Sequence, residues 1–198
     1  MTNSTPVTSV TFTDKLREST KDSHKVVDRH PFVSLIKTNK CAGKIYVNFN
    51  KICINMIQET LQNTPKSFFH KNLFKESIIY KKMYRHIEPL DFFISNNLLI
   101  LLDRCEKYPL EHSYMFYLGI IMGGNLLTKF IPESKDFFKY TDVKQLVQEF
   151  KDFLNEVITK EKQEKFIKIV NESYSIIKLI FDDYNNLLEK NIKNCKDF

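Results

Sequence analysis

Two stretches of the sequence carry residue types with chemistry to offer. In Leu16–His24, LRESTKDSH, the imidazole of His24 falls on one helical face with Leu16, Thr20 and Val27, at spacings of four, four and three. That face is expected to be buried. Asp28 follows His24 at i+4, the spacing at which a carboxylate on the same helix can hold one ring nitrogen and orient the other, as happens behind metal-bound histidines. Arg17 and Lys21 lie one turn apart and within about two turns of His24, so two cations flank the imidazole. The spacing alone is equally compatible with a satisfied core histidine. The second stretch is Tyr114–Phe130, YMFYLGIIMGGNLLTKF, which holds three of the four glycines of the chain, Gly119, Gly123 and Gly124. A glycine inside a helix costs roughly 1 kcal/mol relative to alanine. Three of them allow a bend and the close approach of a bulky group, either a neighbouring helix at a small-residue contact or a flat ligand.

The elements that must position these stretches read as helices. Helix 1 is expected from Thr13, and Pro31 ends it or opens a short PFVSLIK segment. Asn39 to Gly43 form a turn, followed by an amphipathic helix from about Lys44 to Gln62 with Ile45, Phe49, Ile52, Cys53, Met56 and Thr60 inward. Further helices are expected at Asn72–Tyr84 and from Pro89 to Lys107, the latter deeply buried along NNLLILLDR. Pro109 and Pro132 bracket the glycine helix, and helices near Asp142–Val157 and over Lys160–Asn191 complete the chain. Phe166, Val170, Tyr174, Ile177, Phe181 and Tyr184 line one side of the last. With no period-2 strand, the architecture is all-α with about seven or eight helices.

Composition narrows the class of function. A chain of 198 residues, 42% hydrophobic, fits one domain with a sizeable core. Its boundaries are expected at 13–193, between a Ser/Thr-rich tail (1–12) and a polar tail (194–198). The net charge of +6 comes mostly from dispersed lysines, which make a solvated surface rather than a nucleic-acid module. Cys41, Cys53, Cys105 and Cys195 contain no CxxC pair and read as reduced thiols. The N-terminus lacks the pattern of a secretory signal and the C-terminus that of a membrane anchor, so a soluble cytoplasmic monomer is expected. His30, His70, His86 and His112 read as surface or capping residues. Glu-x-x-His spacing, which a di-iron site would need, is absent.

LRESTKDSH resembles the LKEATKEVH segment of the heme oxygenase family, and Tyr117–Phe130, YLGIIMGGNLLTKF, resembles its distal-helix YLGDLSGGQVLKKI. A third likeness runs from Phe150 to Tyr184, where FKDFLN is similar to a family motif. The resemblance implies a single-domain helical bundle with heme sandwiched between a proximal helix and a glycine-kinked distal helix. It makes His24 the axial ligand of the heme iron and Asp28 its supporting carboxylate. Arg17, Lys21, Lys151 and Lys144 fall on the cations that meet the propionates, and Gly119, Gly123 and Gly124 on the glycines that leave room for dioxygen above the porphyrin. The implied activity is heme catabolism: cleavage of heme to biliverdin, carbon monoxide and ferrous iron, using O2 and electrons from a ferredoxin- or NADPH-dependent reductase.

Three departures cut against the reaction but not against binding. Ile120 stands where the family has the aspartate that anchors distal water, Phe116 replaces a distal arginine, and Ile57 a tyrosine. Heme-binding residues are kept while the polar distal network is lost. The alternative is therefore a non-catalytic heme binder, or a scaffold pseudoenzyme, on the same fold.

Overall fold

The computed structural model describes residues 10–62, 94–131, 140 and 142–191. Within them lie seven helices: α1 (Phe12–Asp28), α2 (Pro31–Leu35), α3 (Lys40–Gln62), α4 (Asn96–Lys107), α5 (Pro109–Leu127), α6 (Val143–Val157) and α7 (Lys160–Asn191). No strand occurs among the described residues. The all-α expectation is met. The expected helix at Asn72–Tyr84, His70, His86, Pro132, Cys195, residues 1–9 of the N-terminal tail and the C-terminal tail 194–198 lie outside the described residues.

The helix boundaries follow from local capping chemistry. Thr11 starts α1, its hydroxyl accepting from the Asp14 N–H at 3.2 Å, so the helix opens one residue earlier than expected. Phe12 is thereby brought into the core, its ring edge-on to Phe166 with centroids 5.4 Å apart. His30 caps α2 through its ring, Nδ1 accepting from the Phe32 N–H at 3.2 Å while Pro31 occupies the first turn. Ser95 caps α4, whose helix starts at Asn96 rather than Pro89. That helix is buried on one side only: Leu98, Leu101 and Cys105 are inside, whereas Leu99 and Ile100 are exposed. Gly43, expected in a turn, lies inside α3, where a Cβ would come within 3.2 Å of Ile131. Its lack of a side chain admits a neighbour.

The spine is α7, 32 residues and about 48 Å long, which packs against α1, α2, α3, α4 and α5. Its apolar side meets Phe32 and Phe49 at Phe181, with centroids 5.0 and 5.6 Å away, and Phe49 in turn meets Phe116 of α5 at 5.7 Å. These rings fix α2, α3 and α5 against the spine. α1 is fastened by polar ties: Ser23 donates to Asn171 Oδ1 at 2.6 Å, Asn171 donates back to the Ser19 carbonyl, and the Thr13 N–H donates to Asn155 of α6. The stretch leading to His24 is thus tied to α7 by two hydrogen bonds at one residue, Asn171. Among the described residues, α1 and α5 do not pack extensively on each other.

Candidate functional site

α1 presents the imidazole. Leu16 and Thr20 are buried as expected, but beyond Thr20 the stripe emerges from the core, and the His24 side chain is 48% exposed. The expectation that His24 sits on a buried face is corrected. α7 still touches this turn through Tyr174, and Val27 packs partly buried against the core. His24 Nδ1 stands 3.0 Å from Oδ2 of Asp28. A carboxylate at that distance favours the proton on Nδ1, leaving the Nε2 lone pair as the donor. The other face of the ring is fixed by Tyr174 of α7, edge-on at 5.4 Å.

Tyr174 was legible only as a member of the last helix's aromatic stripe. Here it stands at the centre of a phenol cluster: burial, and the nearby Tyr114, Asp28 and Tyr46, push its hydroxyl far above the usual range. Burial likewise raises Tyr46, against a hydrogen bond with Asn50, and raises Tyr114, against a hydrogen bond with Thr20 and the charge of Arg17. All three phenols are neutral in the working pH range. Tyr114 therefore carries the contact from α5 across to Thr20 and Arg17 of α1.

The expected cations fall on α1 and α6. Arg17 and Lys21 are exposed and both lie 3.4 Å from the Glu18 carboxylate, a surface arrangement of little energetic weight that a stronger anion could replace. Asp14 is held below its usual pKa, first by Thr11, with Arg17 and Lys151 contributing, so these two cations share one neighbourhood. Lys151 is half-buried there, and Lys144 is exposed two turns nearer the start of α6.

α5 presents the glycines. Its helix is unbroken from Pro109 to Leu127, and no glycine has positive φ. Residues Met115–Leu118, Ile120, Ile121 and Gly124 are buried, so the helix is covered almost all round. The exception is a stripe along Gly119, Met122, Gly123 and Leu126. Gly119 is exposed, and a Cβ built on Gly119 or Gly123 would meet nothing within 4 Å. Gly124 points the other way, into the interior. Ile120 is 3% exposed and joins the core with Phe116 at 4% and Ile57 at 0%. The three apolar replacements are thus all interior residues, and none contributes to the open stripe.

Two further histidines are structural. His30 is buried, pairing Nε2 with Asp182 at 3.0 Å besides its capping role. His112, expected at the surface or as a cap, is instead fully buried, bridging the Tyr108 carbonyl at 2.8 Å and Ser173 Oγ at 3.0 Å. Burial holds its pKa down at about 4. No three His, Cys, Asp or Glu side chains gather into a metal-ion cage among the described residues, and no described helix is long and apolar enough to cross a membrane.

The order and packing of these helices are those of the heme oxygenases, and the chain has that fold. Heme oxygenase-1 from the cyanobacterium Synechocystis, solved in complex with heme, matches over 93% of this chain and 96% of its own, with a TM-score of 0.68 at 19% identity. Heme oxygenase from Leptospira interrogans matches over 87% of this chain and 99% of its own, with a TM-score of 0.70 at 16% identity. No family model and no curated protein matches the sequence.

Proposed function

We propose that this chain binds heme between α1 and α5, with His24 Nε2 as the axial ligand, and that the bound heme is also the substrate. The reaction is O2-dependent opening of the macrocycle to biliverdin, carbon monoxide and ferrous iron, with electrons from a separate ferredoxin- or NADPH-dependent reductase. The observation that carries this reading is a pairing. A half-exposed imidazole backed by a carboxylate occurs together with an otherwise covered helix whose one open stripe lacks side chains at Gly119 and Gly123. A single imidazole suffices for a metal that brings its other donors with it, as porphyrin iron does. When bound, the iron supplies the dioxygen chemistry. The protein's part is to orient and exclude. Asp28 and Tyr174 fix the imidazole, Gly119 and Gly123 let the backbone of α5 approach the flat face, and Arg17, Lys21, Lys151 and Lys144 offer charge-assisted contacts to the carboxylates of the ligand. Heme oxygenases on the same fold support the assignment.

One observation favours a second reading, in which heme is held without being opened. Ile57, Phe116 and Ile120 are all interior, so these positions hold no water and relay no proton. Among the described residues of α5, the backbone carbonyls remain to hold water for proton delivery. Reconstitution with hemin, followed by ascorbate or a reductase in air, separates the two. Decay of the Soret band with growth of biliverdin absorption is expected for the oxygenase. A band that persists, or bleaches without biliverdin, establishes retention.

A further inference from the structure

The open stripe of α5 carries two residues that heme binding as described does not use, Met122 and Leu126. Met122 is 66% exposed on a helix whose residues Met115–Leu118, Ile120 and Ile121 are buried. It lies three residues after Gly119 and beside Gly123, so it shares their face, and the space a Cβ would occupy at both glycines is open. An exposed methionine at the middle of a stripe from which neighbouring side chains are missing has room to swing its thioether across that stripe. Leu126, the next exposed residue along the stripe, offers no donor atom, so among these residues Met122 Sδ is the only side-chain atom able to bind a metal. A thioether is soft and unbranched, is neutral at every pH, and pairs with an axial imidazole in heme proteins that keep iron six-coordinate. The interior positions Ile57, Phe116 and Ile120 supply no polar group to compete for that role.

Resting on the heme-binding reading above, we propose that Met122 Sδ is the second axial ligand of the iron, opposite His24. The resting complex is then His/Met-ligated and low-spin, and a small ligand binds only by displacing the sulfur. If sulfur occupies the iron nine parts in ten, its removal raises the observed rate of carbon monoxide binding about tenfold, because only the ligand-free fraction is competent. Methionine ligation also raises the reduction potential.

The full chain, reconstituted with hemin, is compared as wild type, Met122→Leu, Met122→His and His24→Ala. Absorption and magnetic circular dichroism, EPR, potentiometry and stopped-flow carbon monoxide binding are recorded for each. Leucine retains the bulk and the apolar character at an exposed position, so far-UV circular dichroism should match wild type. Expected are a low-spin wild type with a near-infrared sulfur-to-iron charge-transfer band, and a Met122→Leu protein that loses this band, turns high-spin, drops in potential and takes up carbon monoxide about tenfold faster. Met122→His should restore a low-spin state without the sulfur band. A wild type that is already high-spin, or a sulfur band that survives in Met122→Leu, overturns the assignment of Met122 while leaving the heme site standing. Failure of hemin to bind, or a His24→Ala spectrum identical to wild type, overturns the heme site and this inference with it.

Discussion

Replacing Gly119 and Gly123 by alanine should make the protein without heme more stable and its heme complex weaker. Both residues lie inside α5, where alanine is favoured over glycine by about 1 kcal/mol each. Nothing within 4 Å opposes the new Cβ at either position, so the full propensity gain is realised, about 2 kcal/mol for the pair. In a protein of this size that raises Tm by about 4 to 8 °C. Gly43 is the internal control. It is also helical, but its Cβ would stand 3.2 Å from Ile131 Cγ1, so the contact offsets the propensity and Gly43→Ala should give little gain or a loss. The assay pairs thermal unfolding monitored by circular dichroism with hemin titration of the same samples, and Gly123→Leu extends the series to a side chain that fills the approach. The expected result is opposite signs: Tm up, hemin affinity down, most strongly for Gly123→Leu. Loss of stability in Gly119→Ala and Gly123→Ala would show that their face is covered. Undiminished hemin affinity in Gly123→Leu would show that no flat ligand lies against it.

Other perturbations probe the remaining parts of the site and its frame. Asp28→Asn should weaken hemin binding and loosen the orientation of the His24 ring, read as a shift in the iron–histidine vibration, with the fold intact because Asp28 is exposed. Joint replacement of Arg17, Lys21 and Lys151 by glutamine should weaken hemin binding and flatten its salt dependence; an unaltered salt slope would place the ligand's carboxylates elsewhere. Ile120→Asp puts a carboxylate at an interior position only 3% exposed and removes core packing, so it should destabilise the fold by roughly several kcal/mol before any effect on proton delivery is seen, as urea unfolding would measure. His112 sets a pH dependence. Its pKa is about 4 when folded against 6.5 unfolded, so the unfolded chain binds the extra proton. Its contribution is whole above pH 6.5 and declines as pH falls toward 4, by about 3 kcal/mol in all. His112→Gln should remove that part of the slope, and an unchanged slope would mean the ring is not buried neutral.

The fold was readable in the sequence because its signals are periodic and local. The prolines at 31 and 109 punctuate helices, and the stripe from Phe166 to Tyr184 marks the spine, whereas the caps Thr11 and Ser95 became visible only in the structure. Boundaries were missed where tertiary packing overrode a local signal. Gly43 looked like turn chemistry but is a helical contact with Ile131, and Phe12 looked like tail but is core. Of the site, the His24–Asp28 pair follows from i+4 spacing, and the glycine cluster from composition. The exposure of His24 could not be read, since periodicity reports which residues share a face but not how far a neighbouring element covers it. Nor could periodicity say that Ile120 turns inward while Met122 turns outward, because both are apolar residues two positions apart on a helix apolar all round. Tyr114 and Tyr174, ordinary members of aromatic stripes, become informative only when three helices bring them behind the imidazole.

The most direct test is a crystal structure of the hemin complex with data collected at the iron absorption edge. The anomalous signal locates the metal without reference to the rest of the map. Iron on the Nε2 side of His24, with the porphyrin lying against Gly119 and Gly123, is the predicted result. Iron bound away from α1, or a porphyrin on any other face of α5, would contradict the account.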